Sequence, residues 1–445
     1  MNILFISLGC DKNLVDTETM LGLLASGGHR IVDSEEQADA VVINTCCFIH
    51  DAKEESIQNI LEIAELRKAD KIKALVVTGC LAQRYQQEII DEIPEVDAIL
   101  GTTSYDQIIT AVEEAAAGNG GVNVADIDAL PLPDVSRMVT TGGHFAYLKI
   151  AEGCDKHCTY CIIPKVRGNF RSVPLERLVR EAEEMAEQGV KELILVAQET
   201  TLYGQDIYGV KSLPRLLREL SRISGIRWVR ILYCYPEEIT DELIEVIRTE
   251  PKVCHYLDLP IQHANDDILR RMGRRTSKRQ LTEIVSKLRQ EIPDIALRTT
   301  LITGFPGETK EQHQELLDFV DEMAFDRLGV FTYSPEEDTP AAEMDGQIDE
   351  AEKADRQAEI MALQQEISFD LADDMVGREV LVMIEGKVAD ENVYVGRTYK
   401  DAPNVDGMIF VNTAAEPISG DFVRVKVTGA LEYDLIGEIA DEFTE

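Results

Sequence analysis

Three cysteines lie close together in the segment CDKHCTYC, at Cys154, Cys158 and Cys161. Three thiolates from one loop can hold three irons of a four-iron, four-sulfur cluster, because soft sulfur ligands suit iron and short spacers wrap an object of that size. The fourth iron would then stay open to a small molecule that carries an amine and a carboxylate. A fourth protein ligand would instead make an electron carrier.

Zinc is the structural alternative for this loop. It needs a fourth ligand, which His157 offers from within the same segment. The C-x-x-x-C spacing is unusual for zinc, however, and the loop directly follows a predicted strand of a barrel. Both points favour the cluster.

A second set of cysteines, Cys10, Cys46 and Cys80, closes the segments ILFISLGC, VVINTC and LVVTGC. Each follows a predicted strand, so a parallel sheet would bring all three thiols to one carboxyl edge, where α/β sheets bind ligands. Three converging thiolates again predict a cluster. The alternative is three buried core cysteines, since free cysteine is among the most buried residue types. The other cysteines, Cys47, Cys234 and Cys254, are expected to be core thiols.

The composition predicts an acidic, folded chain. Its 445 residues indicate two to four compact units, and 44% hydrophobic residues supply their cores. With 44 Lys plus Arg against 82 Asp plus Glu, the net charge is −38. This charge disfavours general coating of nucleic acid and favours a basic protein partner.

The amino terminus lacks the features of a secretory signal, and no apolar run approaches the length that spans a bilayer. We therefore expect a cytoplasmic protein without a membrane segment. In that reducing compartment, metal ligands, catalytic thiols and core residues are expected ahead of disulfides.

Hydrophobic periodicity predicts an α/β chain of three units. Residues 1–130 alternate strands such as DAVVINT and KALVVTG with helices, which predicts a parallel sheet. Residues 138–372 hold six strand candidates separated by helices, which predicts a partial (β/α)6 barrel with its chemistry at the carboxyl ends of the strands. Residues 375–445 show short strands and turns, as expected of a small antiparallel β-barrel.

The cysteine loop on a partial barrel resembles the radical S-adenosylmethionine superfamily. The resemblance implies that the open iron binds S-adenosylmethionine, that an electron splits its sulfonium, and that a 5′-deoxyadenosyl radical removes hydrogen from the substrate. Positions matching residues that line the cofactor in such barrels are Tyr160, Gln198, Glu199, Arg298, Gly304 and Glu308. An ordinary packing aromatic and ordinary strand-end residues are the alternatives.

Two three-cysteine sets followed by a small β-barrel resemble the methylthiotransferase branch of that superfamily over essentially the whole chain. The matching segments are GCDKN and VDTE within 9–18, NTC at 44–46, TGC at 78–80, VAQETTLYG at 196–204 and a terminal barrel similar to the TRAM domain. The resemblance implies two 4Fe-4S clusters. The one on Cys10, Cys46 and Cys80 would supply sulfur, and S-adenosylmethionine would also donate the methyl group.

Within this branch, RimO-like enzymes modify an aspartyl side chain of protein twelve of the small ribosomal subunit, whereas MiaB-like enzymes modify a transfer-RNA adenosine. The pair Lys12-Asn13 and the segment QETTLYG resemble the RimO form. The terminal unit carries six basic and fourteen acidic residues, which opposes an RNA backbone and suits a basic ribosomal protein.

Some basic residues and one histidine leave both functional and structural interpretations open. The stretch RRMGRRTSKR at 270–279 is either an RNA contact or a solvated connection. Lys165, Arg167 and Arg171 either neutralise cofactor or cluster charge or lie on the surface. His263 either faces the cavity or is structural.

The resemblance implies a flavodoxin-like electron donor, and a monomer is expected. A non-catalytic iron-sulfur protein that binds ribosomes or passes electrons is the alternative of another class. It predicts cluster spectra without turnover of S-adenosylmethionine.

Overall fold

A computed structural model describes residues 1–131 and 133–440. The first unit alternates strands and helices as its hydrophobic pattern predicts. Its elements are β1 Asn2–Ser7, α1 Asp11–Ser26, β2 Arg30–Val32, β3 Ala40–Thr45, α2 His50–Lys68, β4 Ala74–Gly79, α3 Cys80–Glu92, β5 Ala98–Leu100, α4 Ile108–Ala116 and β6 Val122–Asn123. The strands form one parallel sheet in the order β2-β1-β3-β4-β5-β6.

Both faces of this sheet are covered. Val41 and Ile43 of β3 pack on one face, with α2 and α3, whereas Ala40 and Val42 pack on the other, with α1 and α4. A strand that is buried on both faces has a continuous run of apolar residues, and β3 begins with such a run, AVVI. The short strand β6 pairs with β5 at the edge of this sheet.

The second unit supplies the partial barrel. Its elements are β7 Phe145–Lys149, β8 Ala151–Glu152, α5 Ile163–Arg167, β9 Arg171–Ser172, α6 Leu175–Glu187, β10 Glu192–Val196, α7 Gln205–Tyr208, α8 Leu213–Ser221, β11 Trp228–Ile231, α9 Asp241–Thr249, β12 Val253–Asp258, α10 Asp266–Arg271, α11 Lys278–Glu291, β13 Ala296–Thr303, α12 Lys310–Met323, β14 Arg327–Thr332 and α13 Glu350–Asp373. Six of the strands form a parallel sheet in the order β14-β13-β12-β11-β10-β7, as predicted for a (β/α)6 barrel.

The third unit is a closed five-stranded barrel. Its strands are β15 Glu379–Lys387, β16 Val393–Arg397, β17 Ile409–Asn412, β18 Phe422–Ala430 and β19 Leu435–Ile439. They close in the order β15-β16-β17-β19-β18. The prediction of an antiparallel barrel is confirmed except at β17 and β19, which pair in parallel. The last part of the predicted unit, residues 441–445, lies outside the described residues.

The three units each have their own apolar cluster and also contribute to one shared cluster. Alternate residues of β10 point to opposite faces, so Leu193 and Leu195 pack against the outer helices whereas Ile194 and Val196 face inward. The inward residues contact a cluster to which other units contribute Val15, from α1, and Met383, Ala402 and Phe422, from the third unit. The concave face of the second sheet is therefore filled by its neighbours.

A fully buried ion group joins the second and third units. The Glu192 carboxylate accepts a hydrogen bond from Arg230 Nε and another from Arg397 Nη2, both at 2.7 Å. All three side chains are at most 2% exposed. Beside them, the rings of Trp228 and Phe422 meet edge to face with centroids 4.8 Å apart.

We predict that Glu192→Gln lowers the free energy of unfolding by about 3–5 kcal/mol, because it leaves buried Arg230 without its anion and leaves Arg397 with Glu385 alone. The measurement is the urea midpoint followed by the fluorescence of Trp228, which is the single tryptophan of the chain and lies at this contact. The control is Glu183→Gln, at an exposed position of α6. Equal midpoints for the two variants would contradict the prediction.

Candidate active site

The first cysteine set follows three neighbouring strands of the first sheet. Thr45 at the end of β3 pairs with Gly79 at the end of β4, and Cys46 and Cys80 are the next residues of their chains. Cys10 follows β1 on the other side of β3, where Ser7 pairs with Asn44. The parallel register therefore places all three cysteines at one carboxyl edge.

Close packing at this edge requires glycine before two of the cysteines. Gly9 has φ +88°, and a Cβ there would lie 2.7 Å from the Cβ of Cys46. Gly79 has φ +91°, and a Cβ there would lie 2.3 Å from the Asn44 Oδ1 atom. Both positions combine a left-handed backbone with a close approach, so a larger residue would displace the cysteine-bearing turns.

Asn13 ties the ends of two of these strands together. Its side-chain amide donates to the backbone carbonyls of Leu8, at 3.0 Å, and Thr45, at 2.9 Å. Asn44 in turn donates to the Asn13 carbonyl at 2.9 Å. In the sequence Asn13 contributes only to the family resemblance. In the structure its hydrogen bonds shape the carboxyl edge of the first sheet.

The pKa shifts of Cys46 and Cys80 agree with three thiols that lie close enough to interact. Burial raises the pKa of Cys46 to about 12, and the charges of Cys80 and Cys10 add to the rise. Burial also raises the pKa of Cys80, against the lowering influence of the Arg167 guanidinium, whose Nε lies 3.3 Å from the Cys80 Sγ. Without a metal, the raised pKa values favour the protonated thiols of Cys46 and Cys80, so binding a cluster there must release those protons.

The second cysteine set lies on the loop after β8, at the carboxyl end of the second sheet. The Cys154 amide donates to the Gly168 carbonyl at 3.1 Å, and the Cys161 amide donates to the Cys158 carbonyl at 3.0 Å. Burial raises the pKa of Cys154 to about 11. Burial and then the Cys158 charge raise the pKa of Cys161, so the three thiols of this loop also interact.

The basic stretch 270–279 supports this loop. The Thr159 amide and hydroxyl donate to the carbonyls of Met272, at 2.9 Å, and Arg271, at 2.8 Å. The Arg274 side chain is 7% exposed and stacks on the Tyr235 ring at 4.3 Å. Its Nε and Nη1 atoms have no partner within the described residues.

Lys156, inside the cysteine loop, is a candidate site residue that the sequence pattern alone did not indicate. Its ammonium contacts Glu238 and lies 3.4 Å from Glu237 and 3.7 Å from Glu199. It also lies 4.7 Å from the centre of the Tyr235 ring. The position of this lysine between two cysteines of the loop is a sequence feature that could have indicated such a role, because a cation there would offset the negative charge of thiolates.

Gln198 and Glu199 follow β10 and reach the same region. Gln198 Nε2 donates to Glu152 at 2.8 Å, and its Oε1 is buried without a partner among the described residues. Glu199 is 1% exposed and accepts from the Thr201 amide at 2.9 Å and from the Thr201 hydroxyl. Burial raises the pKa of Glu199 to about 7.

Tyr160 packs beside an apolar cluster that contains Met272, Phe305 and Tyr333. Burial and then the Cys158 charge raise the pKa of Tyr160 well above its usual value. The Tyr160 ring, itself part of the loop, therefore lies close to Cys158.

Arg298 points toward the third unit. It is bound to Asp258 at 3.0 Å and lies 3.3 Å from Asp406. Its charge is thus already balanced by two carboxylates in the structure.

The loop from Gly304 to Glu308 closes on itself. The amides of Gly304 and Phe305 donate to Glu308 Oε2 at 2.6 and 3.1 Å. Burial opposes ionisation of Glu308, but the rings of His263 and His313, whose nitrogens lie 3.9 and 3.5 Å from its Oε1 atom, outweigh it and lower its pKa. His263 is fully buried and accepts from the Asn265 amide at 2.9 Å, so it is part of this structural group.

Helix α5, directly after Cys161, joins the two cysteine sets. Ile162 and Val166 pack in the core of the first unit with Leu81 and Cys80. Arg167 binds Asp16 at 2.7 Å and Glu152 at 3.1 Å.

Lys149 contacts the same two acids, Asp16 and Glu152. Burial opposes ionisation of Glu152, but the charges of Lys149 and Arg167 outweigh it and lower its pKa. Of the basic residues after the loop, Lys165 is exposed and half-buried Arg171 binds Asp128 at 3.4 Å. Charged residues within the apolar segment FAYLKIAEGC were the available sequence signal for this group.

The geometry does not favour zinc. Across residues 1–131 and 133–440, no group of three or more His, Cys, Asp or Glu side chains is arranged to hold a single metal ion. His157, the proposed fourth ligand, is exposed. A four-iron cluster is wider than one ion, so its thiolates stand further apart than those around zinc.

The residues fit an iron-sulfur cluster with a polar ligand. Each set offers three sulfur donors and no carboxylate in place of a thiolate. Around the second set, Gln198 Oε1 and the Nε and Nη1 atoms of Arg274 are buried polar atoms that lack partners in the described parts of the chain. Buried polar atoms of this kind ordinarily require a partner.

Three family models match the chain in the order of its units. Residues 2–101 match the uncharacterized protein family UPF0004, residues 148–320 match the radical SAM superfamily, and residues 376–440 match the TRAM domain. The fold and site therefore define a radical S-adenosylmethionine enzyme. Membership of that superfamily implies a 4Fe-4S cluster and S-adenosylmethionine.

Full-length relatives narrow the class. The chain is 62% identical to the ribosomal protein uS12 methylthiotransferase RimO of Lachnoclostridium phytofermentans, over 98% of this chain and 99% of the relative. It is 47% identical to the RimO protein of Clostridioides difficile, over 99% of each. The chain belongs to the RimO family of methylthiotransferases.

Solved structures share the fold at low identity. The radical S-adenosylmethionine methyltransferase TsrM of Kitasatospora setae, with cobalamin and a 4Fe-4S cluster bound, aligns with TM-score 0.56 and 15% identity, over 87% of this chain and 81% of that chain. The cobalamin-dependent radical enzyme OxsB aligns with TM-score 0.51 and 13% identity, over 80% of this chain and 56% of that chain.

In the described residues, no helix has the length and apolar character needed to cross a membrane.

We predict that Glu199→Gln stabilises the metal-free protein at pH 8, on the order of 3 kcal/mol. The raised pKa means that the folded state favours the neutral carboxyl, so its contribution to stability is lost as pH rises from about 4.5 to about 7. Glutamine has no such loss. Urea unfolding should show an advantage for the variant at pH 8 that shrinks at pH 6.

The control is Glu187→Gln, at an exposed position of α6. An advantage of Glu199→Gln that is equal at the two pH values would refute the role assigned to the buried charge.

Proposed function

We propose that this protein adds a methylthio group to the β-carbon of an aspartyl residue in ribosomal protein uS12. The observation that carries the proposal is the pairing of two three-cysteine sets, each at the carboxyl end of a parallel sheet and joined by α5, in a chain of the RimO family. One set would activate the target carbon, and the other would supply sulfur.

Two clusters are part of this proposal. Cys154, Cys158 and Cys161 would hold the cluster that leaves one iron open, and Cys10, Cys46 and Cys80 would hold the second. S-adenosylmethionine supplies hydrogen abstraction and a methyl group when bound at such a site. A carbon-hydrogen bond on an unactivated side chain offers no acidic proton to a base, so radical chemistry is needed.

The side chains around the two cysteine sets would orient and shield the reacting groups. Gln198 and Glu199 present polar atoms at the end of β10, and Lys156 offsets negative charge inside the cysteine loop. Tyr160, Arg298 and the loop from Gly304 to Glu308 are proposed to line the cofactor side of the barrel. The packing of Ile162 and Val166 in the first unit would hold the loop of the second set against the first set.

Charge supports a basic protein substrate over transfer RNA. In the stretch 270–279, Arg270 is paired with Asp267 at 2.7 Å, Lys278 with Glu315 at 3.2 Å and Arg279 with Glu283 at 3.3 Å. Arg274 is buried. Of the six basic residues in this stretch, three are thus paired with carboxylates and one is buried, which leaves Arg271 and Arg275, and the terminal barrel is acidic.

We further propose a cytoplasmic monomer that receives electrons from a flavodoxin-like protein. The proposed limits of its units are 1–130, 138–372 and 375–445. The arrangement of elements along the chain supports these limits.

We predict that the two cysteine sets separate two measurable steps. Alanine at Cys154, Cys158 or Cys161 should abolish formation of 5′-deoxyadenosine, because one iron ligand is lost. Alanine at Cys10, Cys46 or Cys80 should leave that cleavage measurable while methylthio product falls below detection. Liquid chromatography and mass spectrometry measure both products.

The matched controls are Cys47→Ala, next to Cys46, and Cys234→Ala, since both thiols lie in apolar cores. Full product from a Cys46→Ala variant would contradict the role of the first set. Cleavage by a triple variant of the second set would contradict the role of the loop.

We predict that reconstituted protein with S-adenosylmethionine and reductant raises the mass of uS12 but leaves transfer RNA unchanged. The test offers each substrate separately and weighs both. A mass change in transfer RNA alone would overturn the substrate assignment. A cluster spectrum without any turnover would instead support the electron-transfer alternative.

A further inference from the structure

Arg167 belongs to the second unit but ends in the site of the first. It is the last residue of α5, one short helix after Cys161, and is 2% exposed. The Thr102 hydroxyl of the first unit donates to the neighbouring Val166 carbonyl at 2.9 Å. Helix α5 is therefore anchored in the first unit where Cys80 begins α3.

The Arg167 guanidinium has a fixed orientation. Nη1 donates to Asp16 at 2.7 Å and to Glu152 at 3.1 Å, and Nη2 donates to the Asn13 side-chain oxygen. These contacts leave Nε–H directed at the Cys80 Sγ, 3.3 Å away. The side chain thus meets oxygen acceptors on one side and a sulfur on the other.

The surrounding charges form a balanced group. Lys149 contacts both Asp16 and Glu152, so two cations and two carboxylates are buried together. The two acids balance the charges of Arg167 and Lys149 without help from sulfur. The contact with Cys80 is consequently additional to the ion group.

We propose that Arg167 is a positioning residue for the iron-sulfur site on Cys10, Cys46 and Cys80. Its hydrogen bond to the Cys80 sulfur makes a cluster at this site easier to reduce. The inference rests on the proposed function, which assigns a cluster to these cysteines. It adds that the site is incomplete until the second unit is docked on the first.

The physical basis is stabilisation of negative charge. A cluster gains negative charge on reduction, and a hydrogen bond or a cation at a ligand sulfur favours the reduced form. Arginine suits this task because its planar fork can hold two carboxylates and still direct Nε–H elsewhere. Lysine offers only a compact point charge.

The test uses the full chain with Cys154, Cys158 and Cys161 all changed to alanine, so that only the first set can hold a cluster. After anaerobic reconstitution with iron and sulfide, electron paramagnetic resonance follows reduction at fixed solution potentials. Arg167→Lys and Arg167→Gln should each lower the ratio of reduced to oxidised cluster, by roughly tenfold. Lys165→Gln, exposed on the same helix, is the control and should leave the ratio unchanged.

A second readout starts from the protein with Arg167 intact. In the same background, exchange into deuterated water followed by electron-nuclear double resonance should reveal an exchangeable proton coupled to the cluster, and Arg167→Lys should remove it. Absence of that proton when Arg167 is intact would overturn the inference even if both Arg167 variants misfold.

The outcomes distinguish this inference from the proposed function. If the triple-cysteine background takes up no iron, the assignment of a cluster to the first set fails. If it holds a cluster whose reduction is the same with arginine, lysine or glutamine at position 167, the cluster assignment stands and the role of Arg167 is refuted.

Discussion

Four buried charges hold the carboxyl edge of one parallel sheet against that of another. Asp16 comes from the first unit, whereas Lys149, Glu152 and Arg167 come from the strand and loop that carry the second cysteine set. Desolvating four charges is costly, and the cost is offset only when each has its partners in good geometry. The relative placement of the two sheets is therefore specified, because a shift would leave a charge unpaired in the interior.

Parallel pairing makes this placement chemically useful. Each sheet presents its strand ends on one side, and the two cysteine sets and polar side chains such as Gln198 lie in the turns beyond those ends. Glycine at positions 9 and 79 lets the first set approach closely, and the segment around Met272 supports the loop of the second. The reactive groups lie in short turns, while β3 and β4, which precede Cys46 and Cys80, are buried along their whole length.

The sequence predicted the parts of the site that depend on local pattern. Cys46 and Cys80 follow strands of similar phase, so parallel pairing alone predicts that they meet, and the spacing of Cys154, Cys158 and Cys161 defines one loop. Contacts between units were not predictable in this way. The reach of Arg167 to Cys80 and of Arg298 to Asp406 depends on how separate units pack, and no periodicity within a unit encodes that. The parallel pair β17 and β19 was missed for a similar reason, since alternation indicates a strand but not the direction of its partner.

The shared core behind the second sheet has a consequence for how the chain is made. Ile194, Val196 and Tyr256 lie on a concave surface whose cover includes Met383 and Phe422, which are synthesised much later. A growing polypeptide folds from its amino-terminal end, so this apolar hollow stays open to solvent on the nascent chain until the final barrel leaves the ribosome exit tunnel. Translation of the last quarter of the message is thus the interval in which the protein most needs a chaperone.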